Sequence, residues 1–563
     1  MAEMIFFTTF LLSLFLTITL VPFFRRLAYA LHVVDMPGER KVHARPMART
    51  GGLSMAVGTS VSMLLWAPRN SLFPPLMIAL LVIVGAGFLD DLKELSPLAK
   101  FSAQVLAALI VVLWGGVKIR HCGVLLPEGV LLPDVFAVPL TVFVLVGVTN
   151  AINLADGLDG LAGGISVLTF GIIGCLGLLQ GDSFVVVTCV AVVGSLFGFL
   201  RYNTFPATIF MGDAGSQMLG FLAGVMSLWL TQSNPVLSPF LPLFLLGFPI
   251  LDTLTVMLER IYRGQSPFKA DKNHFHHRLM RFGLFHSEAV LMIYALQLVM
   301  VGAAYWLRYY SDWMLLLNYF LLSGTILLAF YILGRRGWKI RIRDKLGRQE
   351  FQYHLKKSYQ LAQLIKFLFR GLQVILAVVL LLVIMPVDSV PDWLAMMAFV
   401  GLLSLLLVCR FRPQWTGVCM RWLFYLIIPA LVYLEEPKLG TGEDFLFGWS
   451  TLALLTNLAF CVMVVFALLV LRYTRRDGYH STPMDFLILI VAILAPAVLP
   501  REMVGAEIWM VAVKVLSLFF VFEVIWEESR HPNRWLETTV GMALLIIGLK
   551  KIWEVCPAIF TGL

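Results

Sequence analysis

The chain has 563 residues, 60% of them hydrophobic and only 14% charged, with a formal net charge of +9. A soluble domain of that composition would expose large apolar patches and aggregate, so lipid is the solvent for most of the surface and length counts helices rather than soluble domains. The positive balance is not a nucleic-acid signal, because the basic residues sit in short loops between apolar runs, and no nucleic-acid partner is expected.

The first apolar run, Ile5 to Phe24, is followed rather than preceded by its charges, Arg25 and Arg26. A secretory signal has the opposite order and a small-residue cleavage site, so this run reads as a retained helix with its N-terminus outside. Apolar stretches of membrane-spanning length recur to the end of the chain, Phe184 to Leu200, Met314 to Leu333 and Leu452 to Leu471 among them. They predict an all-α, polytopic transmembrane bundle with about eleven helices up to Gly334 and roughly six or seven beyond it. Alternate loops begin at Arg25, Asp90, Asn150, Arg201, Arg260, Arg335, Arg410, Arg472 and Glu527. They hold roughly thirty of the Lys and Arg residues against fewer than ten in the opposite loops, which assigns them to the cytoplasmic side. Lys514, inside an apolar run, and Lys550 and Lys551, on the outer side, leave the topology of the last two helices open. Residues 334–366 read as a basic cytoplasmic linker between a membrane domain, 1–333, and a C-terminal transmembrane extension, 367–563, that carries no recognisable motif. The seven cysteines show no paired spacing and imply neither a disulfide nor a zinc site.

Ionisable residues inside or beside such runs are costly and mark function by default. In chain order the first cluster is VVDMPGERKVHARPMARTGG, residues 33 to 52, with Asp35, Arg40, Lys41, His43 and Arg49 before a Gly-Gly helix start. The positive-inside bias explains much of it. Asp90 and Asp91 follow at the end of an apolar run, and adjacent carboxylates are tolerable there if a cation or basic partner neutralises them. Lys100, ten residues on, is close enough to face the same pocket. The segment NAINLADGLDGLAGG, residues 150 to 164, carries Asn150, Asn153, Asp156 and Asp159 among glycines. The first three lie at a helical spacing of three and share one face of a helix end. FMGDAGS, residues 210 to 216, opens the next span with small residues, whose backbone N–H groups are expected to be free for an anion, and with Asp213 as a hard oxygen ligand. Last comes RIYRGQSPFKADKNHFHHRL, residues 260 to 279, containing Arg260, Arg263, Lys269, Lys272, His274, His276, His277 and Arg278. That density of donors suits a diphosphate. Three histidines in four residues could also bind zinc, although no cysteine is near and the surrounding cations would repel the metal.

The ordered set DD, NxxNxxDGxDGL, MGDxGS and SPFxxDxxHxHH resembles the polyprenyl-phosphate N-acetylhexosamine-1-phosphate transferase superfamily, over about residues 1 to 333. The resemblance implies a bundle of ten or eleven helices with active-site loops on the cytoplasmic face of the bacterial inner membrane. It also implies transfer of a sugar-1-phosphate from a UDP-sugar to undecaprenyl phosphate, with release of UMP, at the start of cell-surface polysaccharide synthesis. Asp213 would then be the principal ligand of Mg²⁺ (Mn²⁺ being the alternative ion), with Asn153 nearby. Asp90 and Asp91 would position the lipid phosphate and the metal, and Lys100 would contact phosphate. Asp156 and Asp159 would line the nucleotide and metal pocket, and His274, His276 and His277 would hold the sugar-diphosphate end. Asn150, Arg260, Arg263, Arg40, Lys41 and His43 complete the expected substrate contacts, and a second copy of the chain is a candidate partner. The H-F-H-H spacing resembles the N-acetylglucosamine branch, with the phospho-N-acetylmuramoyl-pentapeptide branch as the nearest alternative. A transporter or flippase is the alternative of another class, but no inverted repeat is visible and the acidic residues gather at one membrane face. Two departures stand out: Ala48 replaces a proline usual in relatives, and residues 335–563 run past the family's end.

Overall fold

The computed structural model describes residues 2–36, 46–127, 129–266, 273–335, 359–387, 389–435, 449–473, 506–528 and 534–555. Its helices fall into two compact units, one holding those through Arg335 and the other those from Tyr359 onward.

The first unit opens with α1 (Ala2–Ala30) and a short antiparallel ribbon, β1 (Val34–Asp35) and β2 (Met47–Ala48), with Val34 opposite Ala48. Then come α2 (Gly51–Trp66), α3 (Phe73–Lys93) and α4 (Pro97–Leu109), which continues as a π-helical turn over Ile110–Trp114. α5 (Asp134–Ala155), α6 (Leu161–Leu179), α7 (Ser183–Asn203) and α8 (Gly212–Ser233) follow. A short α9 (Leu241–Leu245) leads into α10 (Gly247–Tyr262), and a short α11 (Phe275–Arg281) precedes α12 (His286–Leu307) and α13 (Asp312–Arg335). Apart from the short α9 and α11, these are the eleven helices that the apolar runs predict.

α6, α7 and α8 form the buried centre, whereas α1 and α13 turn most of their residues outward, as lipid-facing helices do. α1 lies tightly along α7 because Gly194 and Gly198 leave room for the carbonyls of Phe10 and Leu14. In lipid, where the hydrophobic effect does not drive helices together, such small-xxx-small contacts and interhelical hydroxyl bonds do. Ser13 Oγ donates to Ala191 O at 2.6 Å, and Thr59 Oγ1 donates to Ser195 Oγ at 3.0 Å. At one end of the bundle, exposed aromatic residues cluster at the C-termini of α2 and α4 and around the α12–α13 turn: Trp66, Trp114, Trp306, Tyr309, Tyr310 and Trp313. Their rings suit a headgroup boundary. The acidic clusters lie at the other end.

The second unit has six described helices: α14 (Tyr359–Ile384), α15 (Asp392–Phe411), α16 (Thr416–Glu435), α17 (Trp449–Tyr473), α18 (Ala506–Glu528) and α19 (Arg534–Val555). Its own apolar core includes Leu376, Leu394, Phe424, Phe522 and Leu544. Lys514, anomalous in the sequence, is buried and paired with Glu435 at 3.4 Å. Among the described residues of both units, eleven helices are long and apolar enough to cross a membrane.

Candidate active site

The site starts where α3 ends. Asp90 Oδ1 accepts from the Leu95 amide at 2.7 Å, so the carboxylate itself closes the turn into α4, whose first turn is capped by Ser96. That turn brings Lys100 back over α3. Its ammonium bonds Asp90 Oδ2 and lies 3.4 Å from Asp213 Oδ2 on α8. One cation thus spans two carboxylates from different helices. Without it they would repel.

Asp91 points the other way. Its Oδ1 accepts from the Asp213 amide at 3.1 Å and its Oδ2 from the Ala214 amide at 3.3 Å, with Arg49 Nε 3.4 Å from Oδ1. The open helix-start amides expected around Asp213 are therefore not both free for a substrate anion. Asp91 already caps them, an arrangement that the positive end of a helix favours. The cap also fixes the backbone that carries the Asp213 side chain.

Asn150 and Asn153 share a face of α5 as their spacing predicts, but they serve different neighbours. Asn153 Oδ1 accepts from Ser216 Oγ of α8 at 2.6 Å, one turn from Asp213. Asn150 turns to Gln104 of α4. Asp156 lies just beyond the helix, at the C-cap of α5, so the helical face ends one residue before it. Its half-buried carboxylate has no hydrogen-bond or ion-pair partner among the described residues. Burial, and then the charges of Asp213 and Asp159, push its pKa up to about 7.

Asp159 ties its loop to the next one. Its Oδ2 accepts from the Ala207 amide at 3.0 Å, and its own amide donates to His286 Nε2 at 3.2 Å. Asn203 Oδ1 accepts from the Gly160 amide, and Tyr294 donates to the Gly160 carbonyl. None of His286, Asn203 or Tyr294 stands out in the sequence, because each lies in or at the end of a helix and meets partners 43 to 134 positions away.

The histidine loop packs against this one. A Cβ on Gly157 would fall 2.5 Å from the His276 ring, so a glycine is needed for that approach. Asp252 of α10, also unremarked in the sequence, organises the loop. Its Oδ2 lies 3.0 Å from His274 Nδ1 and its Oδ1 accepts from the Phe275 amide at 2.9 Å. An acidic residue within the apolar run around Phe248 to Met257 was the available signal. The His274 and His276 rings stack, and His277 leans on His276. Burial, and then the neighbouring His277, push His276 down to about 3, so at neutral pH this ring is an uncharged hydrogen-bonding group. Arg260 is buried on α10. Arg263, by contrast, is exposed and lies 3.6 Å from Glu259, which also takes Arg278 at 2.6 Å. Arg40, Lys41, His43, Lys269 and Lys272 lie outside the described residues.

Among the described residues no group of three or more His, Cys, Asp or Glu is arranged as a ready metal cluster. The donor set at the Lys100 bridge is nevertheless hard oxygen: the Asp213 and Asp90 carboxylates, with the Asn153 amide oxygen one turn from Asp213 across α8. Such donors suit Mg²⁺, and the ammonium between the two carboxylates marks where positive charge is stabilised. His274 Nδ1 is engaged by Asp252, which fixes the orientation of that ring.

Residues 73–231 match the model of glycosyl transferase family 4. The chain is 38% identical over 316 residues to a probable undecaprenyl-phosphate N-acetylglucosaminyl 1-phosphate transferase of Bacillus subtilis (strain 168), covering 56% of this chain and 88% of that protein. It is 36% identical to the decaprenyl-phosphate N-acetylglucosaminephosphotransferase of Mycobacterium leprae (strain TN), covering 49% and 78%. It is 29% identical to the undecaprenyl-phosphate alpha-N-acetylglucosaminyl 1-phosphate transferase of Escherichia coli (strain K12), covering 61% and 96%.

Proposed function

Because the chain belongs to glycosyl transferase family 4, we infer that it is a multi-pass membrane enzyme that transfers N-acetylglucosamine-1-phosphate to a polyprenyl phosphate. The donor is a UDP-sugar and the leaving group is UMP. The observation that carries the reading to particular residues is the Lys100 ammonium held between Asp90 and Asp213, with Asn153 bonded to α8 one turn away.

In the reaction an oxygen of the lipid phosphate attacks the sugar-bearing phosphorus. A new P–O bond forms there and the bond to UMP breaks. Two phosphates about 4 Å apart repel by roughly 4 kcal/mol at an effective dielectric near 20, so the main task is to align two anions and offset their charge. Mg²⁺, held by Asp213 with Asn153 and Asp90, would supply Lewis-acid charge neutralisation. Lys100 contacts phosphate from the same point. Asp91 acts as a positioning residue, holding the backbone of Asp213. Asp156 and Asp159 border the nucleotide side, and neutral His276 donates a hydrogen bond to the diphosphate rather than a charge. No strong base is required, because a phosphate monoester has its second pKa near 6 and is largely dianionic at neutral pH. The positive-inside bias of the loops supports a cytoplasmic site and an N-terminus outside.

Purified protein incubated with undecaprenyl phosphate and a panel of UDP-sugars tests the reading. UMP release from UDP-N-acetylglucosamine is expected, abolished by chelation and restored by Mg²⁺. Release only from the UDP-muramoyl-pentapeptide would move the chain to the other branch, and undiminished release under chelation would remove the metal from the scheme.

A further inference from the structure

Apart from Lys100 itself, the helix that carries it is tied to α5 and α8 through one polar side chain, Gln104. Over Pro97–Leu109 the buried residues of α4 are Gln104, Ala107 and Ala108, while Leu98, Phe101 and Leu106 are exposed towards lipid. Alanines pack closely but carry no directional bond. α4 packs on α3 and α5, and it reaches α8 through the side chains of Lys100 and Gln104. Gln104 Nε2 lies 3.2 Å from Gln217 Oε1 and 3.3 Å from Asn150 Oδ1, and Asn150 Nδ2 returns a 2.7 Å bond to Gln104 Oε1. Asn150 Nδ2 also donates to Val146 O at 2.8 Å.

These three amides are in step with the reactive residues. Gln104 follows Lys100 by four positions, Gln217 follows Asp213 by four, and Asn150 precedes Asn153 by three, each spacing being one turn on the same helix face. A layer of neutral amides therefore underlies Lys100, Asp213 and Asn153, one turn deeper in the bundle. Gln104 is its node, since it alone bonds both other members. We propose that Gln104 is a positioning residue for phosphoryl transfer: through Gln217 and Asn150 it sets the depth and rotation of α4, and so the distance from Lys100 to Asp213. This rests on the transferase reading above.

The test is Gln104→Leu, which keeps the volume and removes every bond, in the parent and in a Lys100→Met background. Displacement of a catalytic group by about 1 Å costs on the order of 100-fold, so kcat for UMP release should fall about 10- to 100-fold while KM for UDP-N-acetylglucosamine stays within about twofold. If Gln104 acts through Lys100, the same change in the Lys100→Met background should cost less than about twofold more. A parent-like kcat in Gln104→Leu, or an equal fold-loss in both backgrounds, would overturn the inference, the latter pointing to a general packing role. Should Gln104→Leu fail to accumulate in membranes, Gln217→Met breaks the same bond from α8 and is read by the same two results. An active parent with an unaffected variant sinks the inference alone, whereas a parent that releases no UMP from any UDP-sugar sinks the functional reading with it.

Discussion

Both units place charged side chains within apolar helices, but they balance them differently. In the second unit, among the described residues, two pairs of charges are matched across helices. Arg421 makes a fork of two 2.8 Å bonds to Glu523, which Tyr425 also bonds, and Lys514 meets Glu435 at 3.4 Å. In the first unit Asp90, Asp91, Asp156, Asp159 and Asp213 gather at one end of the bundle. The ion pairs that reach them, among the described residues, come from Lys100 and Arg49. Matched pairs are what a fold needs to tolerate buried charge. A surplus of carboxylate is costly to the fold, and under the proposed function it is where a cation would join the substrate.

The largest expected effect tests that surplus. Asp213→Ala removes the carboxylate that shares Lys100 with Asp90 and should lower UMP release by about 1,000-fold or more, on the order of 4 kcal/mol. Asp90→Asn should cost less, because an amide oxygen still accepts from Leu95 and so keeps the α3–α4 turn closed. Equal, mild losses for the two would mean that the acidic end of the bundle is as structural as the paired charges of the second unit.

The converse substitution is Glu523→Leu. It strands the Arg421 guanidinium among apolar helices and should destabilise the second unit by about 3 kcal/mol, while Arg421→Met with Glu523→Leu together should cost less than the single change. Thermal melts of the detergent-purified proteins read both. A double variant no better than the single one would argue that this pair does more than hold helices.

What the sequence discloses follows the same contrast. Asp90, Asp91, Asp156, Asp159 and Asp213 are conspicuous because they interrupt or end apolar runs, and the helix count follows from the runs themselves. The division of labour between Asp90 and Asp91 is not legible, since it depends on which carboxylate meets the start of α8, 122 positions away. Gln104 and Gln217 are hidden for a related reason: a neutral amide hardly perturbs the hydropathy of its helix, and only packing shows that the two meet. Asp252 could have been found, because a carboxylate inside an apolar run is the very signal that revealed the others.

A smaller effect separates charge from hydrogen bonding in the histidine loop. His276 has a pKa near 3 in the folded protein against 6.5 ordinarily, so its contribution is intact above about pH 6.5. As pH falls from there towards 3 the unfolded chain takes up a proton that the folded one refuses, and stability should drop by about 1.4 kcal/mol per pH unit from this group. His276→Gln removes that component, so its melting temperature should decline less steeply than the parent's between pH 6.5 and 5. Parallel declines would show that the ring is protonated in the fold, and would return the loop to the role of a cationic clamp.

The smallest expected change comes from removing the second unit altogether. The relatives from B. subtilis, M. leprae and E. coli are matched over 88%, 78% and 96% of their own lengths by only 56%, 49% and 61% of this chain. Proteins of that size, which match only half to three-fifths of this sequence, bear the transferase names. The first unit has its own buried centre in α6 to α8, and every acidic site residue and its described partners belong to it. A chain ending after Lys366 keeps those helices, together with the basic segment that follows them. Its rate of UMP release per folded molecule should stay within about twofold of the full chain. A collapse in rate with an unchanged amount of folded protein would mean that the matched charges of the second unit reach into the chemistry, and the division between a balanced scaffold and an acidic site would have to be redrawn.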